Sequence, residues 1–158
     1  MNNNIFEAIK IHGKNREDLI PVMQYLVAKE NWLSPELMKE IADVFGISHA
    51  EVYGVASFYS FINIEPCGKY IIRLCKTISC DMSGKIAILE RLKKILKIEA
   101  GETTHDNLFT LQQTNCLGWC HKGPAMLVND DVYTELTPDK AEQIIREYAD
   151  REKQYCII

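Results

Sequence analysis

The sequence predicts a two-part α/β chain: a helical bundle over residues 1–64, then a mixed domain over residues 65–158 built β-α-β and β-β-α. Three observations predict it. Apolar residues recur at three- and four-residue spacing from about residue 15 to 61, the period of helices with one buried face. After Pro66 and Gly68 the period shortens to that of strands, with one amphipathic stretch between them and another at the end. Four of the six cysteines form two tight pairs, Cys75 with Cys80 and Cys116 with Cys120, with 35 residues between the pairs.

The elements follow in order. Leu19, Val22, Met23, Leu26 and Val27 mark a first helix, which begins near Asp18 because Pro21 is tolerated best in a first turn. Ser34-Pro35-Glu36 opens a second with an N-cap and a proline at the first helical position; it carries Leu37, Ile41, Val44 and Phe45 inward and stops at Gly46. Ser48 to Glu51 has the form of a capping box and starts a third, through Val52, Val55, Ala56 and Tyr59. Tyr53, Phe58, Tyr59 and Phe61 read as core, at the joint between the two parts. Tyr70 to Cys75 is a β-rich run that ends on the first cysteine pair. Ser83 to about Ile98 is an amphipathic helix with Ile86, Leu89, Leu92, Ile95 and Leu96 on its apolar side. Leu108 to Cys116 is a strand that delivers the second pair. Ala125–Val128 and Val132–Leu136 flank a polar turn as a hairpin, and Thr137-Pro138 caps a last helix through Ala141, Ile144, Ile145 and Tyr148. A parallel βαβ unit followed by an antiparallel hairpin and a helix is the thioredoxin-like plan. It brings both cysteine pairs to one end of the sheet.

Length and composition bound the function. A globular chain of 158 residues buries roughly 68–70% of its unfolded surface and needs no disulfides to fold. The start of the chain has neither the apolar stretch of a signal peptide nor an Arg-rich transit character, so a cytoplasmic protein is expected. No apolar run approaches the ~20 residues of a membrane span, so membrane insertion is not expected. With 18 basic and 22 acidic residues and a pI near 5.6, the chain lacks the basic patch of a nucleic-acid binder.

Six cysteines in a reducing compartment favour metal or redox chemistry over a disulfide framework. Each pair is tight enough for one loop to hold both thiolates against a shared centre, and four thiolates are what a 2Fe-2S cluster needs. The spacing matches neither the plant-type nor the bacterial ferredoxin run, so the count alone does not decide. Structural zinc favours C-x2-4-C knuckles on small autonomous units, and a thiol-disulfide oxidoreductase would want Cys-x-x-Cys at a helix start. Cys67 precedes a strand and reads as a thiol outside the ligand set; Cys156, in the C-terminal tail, reads as incidental. His12, His49, His105 and His121 are scattered.

The residues around the pairs carry a resemblance. Val52-Tyr-Gly-Val-Ala-Ser-Phe-Tyr59, Pro66-Cys-Gly-Lys-Tyr70, Cys75-x4-Cys80 and Asn115-Cys-Leu-Gly-Trp-Cys120 with Gly123-Pro124-Ala125 resemble the thioredoxin-like 2Fe-2S subunit of NADH dehydrogenases and NADH-linked hydrogenases, over nearly the whole chain. Asn115 to Met126 and Asn129 to Tyr133 are most similar to the small subunit of electron-bifurcating FeFe hydrogenases. The chain departs from the family at His121-Lys122, where relatives tend to carry an acidic residue.

The resemblance implies a thioredoxin-like 2Fe-2S ferredoxin domain over 65–158, with Cys75, Cys80, Cys116 and Cys120 as ligands. It implies one-electron transfer next to a flavin- and NADH-binding iron-sulfur subunit, which would carry FMN and NAD(H), and a hydrogenase catalytic subunit as a further partner. The bundle over 1–64 would be the docking element. This chain has no Gly-x-Gly-x-x-Gly fingerprint or P-loop and is not expected to bind NADH alone or to have a catalytic site of its own. Gly118 and Gly123 would let backbone amides approach the sulfurs, Thr77 and Ser79 could add hydroxyl donors, and Lys76, His121 and Lys122 would favour the reduced form. Trp119 would shield the centre from water, and Pro124 is a candidate for a cis peptide bond. The alternatives are a free-standing thioredoxin-like ferredoxin and the equivalent subunit of complex I or of an NAD-dependent formate dehydrogenase.

Overall fold

The computed structural model describes residues 3–155, with side chains through Glu152, so Cys156 lies outside the described residues. The chain divides after Cys67 into two compact units. No helix among the described residues is long and apolar enough to cross a membrane.

The first unit holds four α-helices among its described residues. The helix α1 (Asn3–His12) was not legible in the sequence, which shows a single turn of pattern there: Ile5 and Ala8 are fully buried and Ile9 packs beside them. Gly13, with φ at +101°, ends it by donating its amide to the Ile9 carbonyl at 2.8 Å. After a 3-10 turn at Arg16–Asp18, α2 (Leu19–Glu30) starts where Pro21 requires and buries Leu19, Val22, Met23 and Leu26. The helix α3 (Pro35–Phe45) is capped by Ser34, whose Oγ accepts the Leu37 amide at 3.1 Å, and ends on the left-handed Gly46. In α4 (His49–Phe58) Ser48 Oγ accepts the Glu51 amide at 3.2 Å, while the Glu51 carboxylate pairs with Arg16. Each such N-cap contributes about 1 kcal/mol. Leu26, Leu33, Ile41 and Val52 meet in one core.

The four aromatics that read as core in the sequence lie outside the core of the first unit. Tyr53, Phe58, Tyr59 and Phe61 are 51%, 79%, 43% and 47% exposed. The buried stripe of α4 is only Val52 and Ala56, and the helix ends at Phe58, so the residues after it leave the helical register.

The second unit is a four-stranded sheet in the order β2-β1-β3-β4, from β1 (Tyr70–Cys75), β2 (Phe109–Thr114), β3 (Met126–Val128) and β4 (Asp131–Tyr133). β1 runs parallel to β2 and antiparallel to β3, which pairs antiparallel with β4. Central β1 is buried from Ile71 to Cys75, as a near-continuous apolar run should be. The helices α5 (Ile78–Met82), α6 (Lys85–Leu96) and α7 (Pro138–Tyr155) complete the unit. Ile72, Leu74, Leu111 and Met126 from the sheet form one core with Ile88 and Leu92 of α6 and Ile144 and Ile145 of α7.

Two details correct the sequence reading. The short α5 occupies what reads as a loop between the first two cysteines. The next helix starts only at Lys85, after Gly84 at φ +98°, and its buried stripe runs through Lys85, Ile88 and Leu92, which leaves Ile86 63% exposed. The hairpin turns at Asn129, whose φ of +52° suits a tight turn and whose side chain accepts the Ile71 amide at 2.8 Å. The Gly123–Pro124 peptide bond is cis, as its place just before β3 suggested.

Candidate metal centre

Parallel pairing brings the two cysteine pairs together. Cys75 is the last residue of β1 and lies in register with Thr114, the last of β2; the Lys76 amide extends the pairing to the Thr114 carbonyl at 2.8 Å. Cys116 follows two residues beyond, so two parallel strands with a helical crossover deliver both pairs to one end of the sheet.

Each pair then closes locally. The carbonyl of Thr77 accepts the amides of Cys80 and Asp81 at 3.1 and 3.0 Å, which winds α5 and brings Cys80 back toward Cys75. The buried Lys85 ammonium pairs with the Asp81 carboxylate and ties α5 to the start of α6. On the other side Cys116 and Cys120 stand with their sulfurs 3.1 Å apart, too far for a disulfide and close enough to share one centre. Gly118, at φ +85°, turns its amide to the Cys116 sulfur at 3.4 Å. Gly123 leaves room: a β-carbon there would lie 3.5 Å from the Cys80 sulfur.

The pairs differ in environment. Cys75 and Cys80 are each 1% exposed, whereas Cys116 and Cys120 are exposed. Burial pushes the Cys75 thiol up, but the Thr77 side chain and amide, Cys80 and the Leu117 amide overrule it, and the group lies below the ordinary thiol value. Burial raises Cys80, with Cys75 adding to the rise and the Ala125 amide opposing it. Cys120 is raised by its hydrogen bond with Cys116 and by the charge of Cys116, with smaller contributions from the charges of Cys80 and Cys75. Cys120 thus feels both members of the buried pair.

Several expected residues take other roles. Trp119 stacks on His121 with ring centroids 5.8 Å apart, and the cysteines on either side of it, Cys116 and Cys120, are exposed. Ser79 is exposed, and its carbonyl accepts Ser83 Oγ at 2.8 Å. The Cys67 thiol donates to the Glu65 carbonyl at 3.4 Å. The amides of Leu117 and Ala125, which do face sulfurs, escaped the sequence reading because nothing local marks them. Only the fold brings residue 125 to residue 80. A cleft of about 1220 Å³, lined by Ile95, Leu96, Ile98, Phe109 and Ile145, lies between α6 and α7 and holds none of these cysteines.

Among the described residues no three His, Cys, Asp or Glu side chains converge on the position of a single ion. The donors are instead two thiol pairs, buried and exposed, with backbone amides turned to their sulfurs. That arrangement suits a two-iron centre, to which four Cys thiolates bind and whose properties depend on hydrogen bonds to sulfur. The fold and the donor set thus define a thioredoxin-like scaffold able to hold an iron-sulfur centre.

The comparisons with known proteins agree. The family model for the thioredoxin-like [2Fe-2S] ferredoxin matches residues 5–149, and the chain belongs to that family, whose cofactor is a 2Fe-2S cluster. It is 41% identical over 120 residues to subunit 2 of the NADH-quinone oxidoreductase of Thermus thermophilus, covering 76% of this chain and 66% of that one. It is 37% identical over 152 residues to a subunit of the NADH-quinone oxidoreductase of Buchnera aphidicola, covering 94% of both chains. With a subunit of the Escherichia coli NADH-quinone oxidoreductase it shares 38% over 146 residues, 90% of this chain and 88% of that one. Among solved structures an NAD+-reducing [NiFe]-hydrogenase superposes with a TM-score of 0.72 at 22% identity, over 82% of this chain and 23% of that one, a likeness of fold.

Proposed function

We propose that the chain carries a 2Fe-2S cluster on Cys75, Cys80, Cys116 and Cys120 and passes single electrons beside a larger flavin- and NADH-binding iron-sulfur subunit of an NADH-linked oxidoreductase. The convergence of two thiol pairs beyond β1 and β2 carries the reading. Relatives at 37–41% identity, named as subunits of NADH-quinone oxidoreductases, support the NADH-linked setting.

When bound, such a cluster supplies reversible uptake of one electron. The chain's residues do the rest. β1 and β2 hold the two pairs at a fixed separation, the amides of Leu117, Gly118 and Ala125 face the sulfurs, and burial keeps Cys75 and Cys80 from water. The exposed Cys116 and Cys120 bring the other side of the site to the surface, where a partner's redox group can approach. A hydride carrier gives up two electrons at once, so a flavin in the partner must divide them.

The first unit is proposed as the docking element. Residues 52–64 contain no charged side chain, and four of their aromatics are at least 43% exposed. Depletion of charge with enrichment in aromatics is the composition of an interface core.

For the complex itself, the likeness of Asn115–Met126 and Asn129–Tyr133 supports an electron-bifurcating FeFe hydrogenase, with its catalytic subunit as a further partner. The names of the relatives favour a second reading, an NADH-quinone oxidoreductase. Purification of the native complex separates them: an H-cluster subunit supports the first, a quinone-reducing membrane arm the second. The carrier reading is tested with NADH. The isolated, cluster-loaded chain should stay oxidised and become reduced once the flavoprotein subunit is added; reduction of an acceptor by the chain alone with NADH would contradict it.

A further inference from the structure

We propose that the Thr77 hydroxyl forgoes helix capping to donate a hydrogen bond to the Cys75 sulfur, and that this bond raises the reduction potential of the centre held there. The proposal rests on the reading of Cys75, Cys80, Cys116 and Cys120 as the ligands.

Thr77 is the N-cap residue of α5, with the extended backbone that position requires (φ −76°, ψ 158°), yet its side chain makes no cap bond. Hydroxyl residues before three other helices of the same chain behave in the ordinary way. Ser34 accepts the Leu37 amide at 3.1 Å, Ser48 the Glu51 amide at 3.2 Å and Thr137 the Lys140 amide at 3.2 Å. Thr77 Oγ1 instead stands 3.1 Å from the Cys75 sulfur. A cap bond stabilises a helix start, so a local preference has been overruled here.

The direction of the bond follows from the chemistry. A ligating thiolate has no proton, so between a hydroxyl and a thiolate only the hydroxyl donates. One electron enters or leaves the couple, no bond forms or breaks, and the hydroxyl keeps its proton. Because the added electron makes the sulfurs more negative, the hydrogen bond strengthens on reduction and favours the reduced state. Thr77 is a positioning residue acting through Cys75, and its position two residues after a ligand is what directs the hydroxyl back.

The test is the midpoint potential of the full chain reconstituted with iron and sulfide, read by EPR-monitored titration in wild type, Thr77→Val and Thr77→Ser. Thr77→Val should hold two irons and two sulfides per chain and shift the one-electron equilibrium toward the oxidised form by roughly tenfold, about 59 mV more negative for a one-electron couple. Thr77→Ser, which keeps the hydroxyl, should retain the wild-type potential. A wild-type potential in Thr77→Val, or equal shifts in both variants, would overturn the proposal. So would failure of Thr77→Val and Thr77→Ala to hold a cluster while Thr77→Ser holds one, since Thr77 would then be an assembly residue. The ligand reading fails separately, on the iron content of the wild type.

Discussion

A β-carbon at Gly68 would lie 2.9 Å from the carbonyl carbon of Leu108 and from the nitrogen of Phe109, so the backbone leading into β1 passes directly against that leading into β2. The Gly68 amide uses the closeness, donating to Thr110 Oγ1 at 2.6 Å. Both obstacles are backbone and neither can swing aside. Gly68→Ala should therefore lower unfolding free energy by about 1–3 kcal/mol, read from urea midpoints, with the cluster spectrum unchanged in the protein that remains folded. Sequence reasoning used this residue only to mark where the strand period begins and missed the close approach, which depends on a partner 40 residues away. The four candidate ligands were legible because their pairing is local. The amides of Leu117 and Ala125 were not, because amides carry no residue-type signal.

At the scale of elements, α7 is fastened to the hairpin by a chain of hydroxyls. Tyr148 donates to Asp131 Oδ2 at 2.5 Å and lies 3.0 Å from the Tyr133 hydroxyl. Burial, then the bonds to Asp131 and Tyr133, raises the Tyr148 phenol well above its ordinary value of 10.0. Tyr148→Phe should cost about 1–3 kcal/mol at neutral pH, because Asp131 loses its donor. The sign of the pH effect is set by a folded-state value above the unfolded one. Tyr148 contributes fully below the unfolded pKa of about 10 and progressively less as pH rises from there through the folded value, so the gap between wild type and Tyr148→Phe in urea unfolding should be constant up to about pH 9 and narrow above pH 10. The long elements were legible: β1 spans Tyr70–Cys75 as read, and α3 runs from its Ser34 cap to Gly46. The ten-residue α1 and five-residue α5 were not, because one turn of apolar spacing does not rise above chance. Ile86 was read inward with Leu89 and Leu92, but at 3.6 residues per turn it lies about 120° around the helix from Leu92, off the buried stripe of Lys85, Ile88 and Leu92.

For the whole molecule, we propose docking for the first unit, with its exposed aromatics, and the cluster for the second, with its thiol pairs. Deleting residues 1–64 should abolish assembly with the flavoprotein subunit, measured by co-purification, while the visible and EPR spectra of the cluster persist. Normal assembly of the shortened chain would remove the docking role. The central claim is that four particular thiols hold one two-iron centre, and iron and acid-labile sulfide content measures it most directly. The reconstituted wild type and Cys67→Ser should each contain two irons and two sulfides and give a one-electron EPR signal on reduction, whereas Cys75→Ser, Cys80→Ser, Cys116→Ser and Cys120→Ser should each lose most of that content or signal. A full two-iron centre in Cys75→Ser together with its loss in Cys67→Ser would contradict the account.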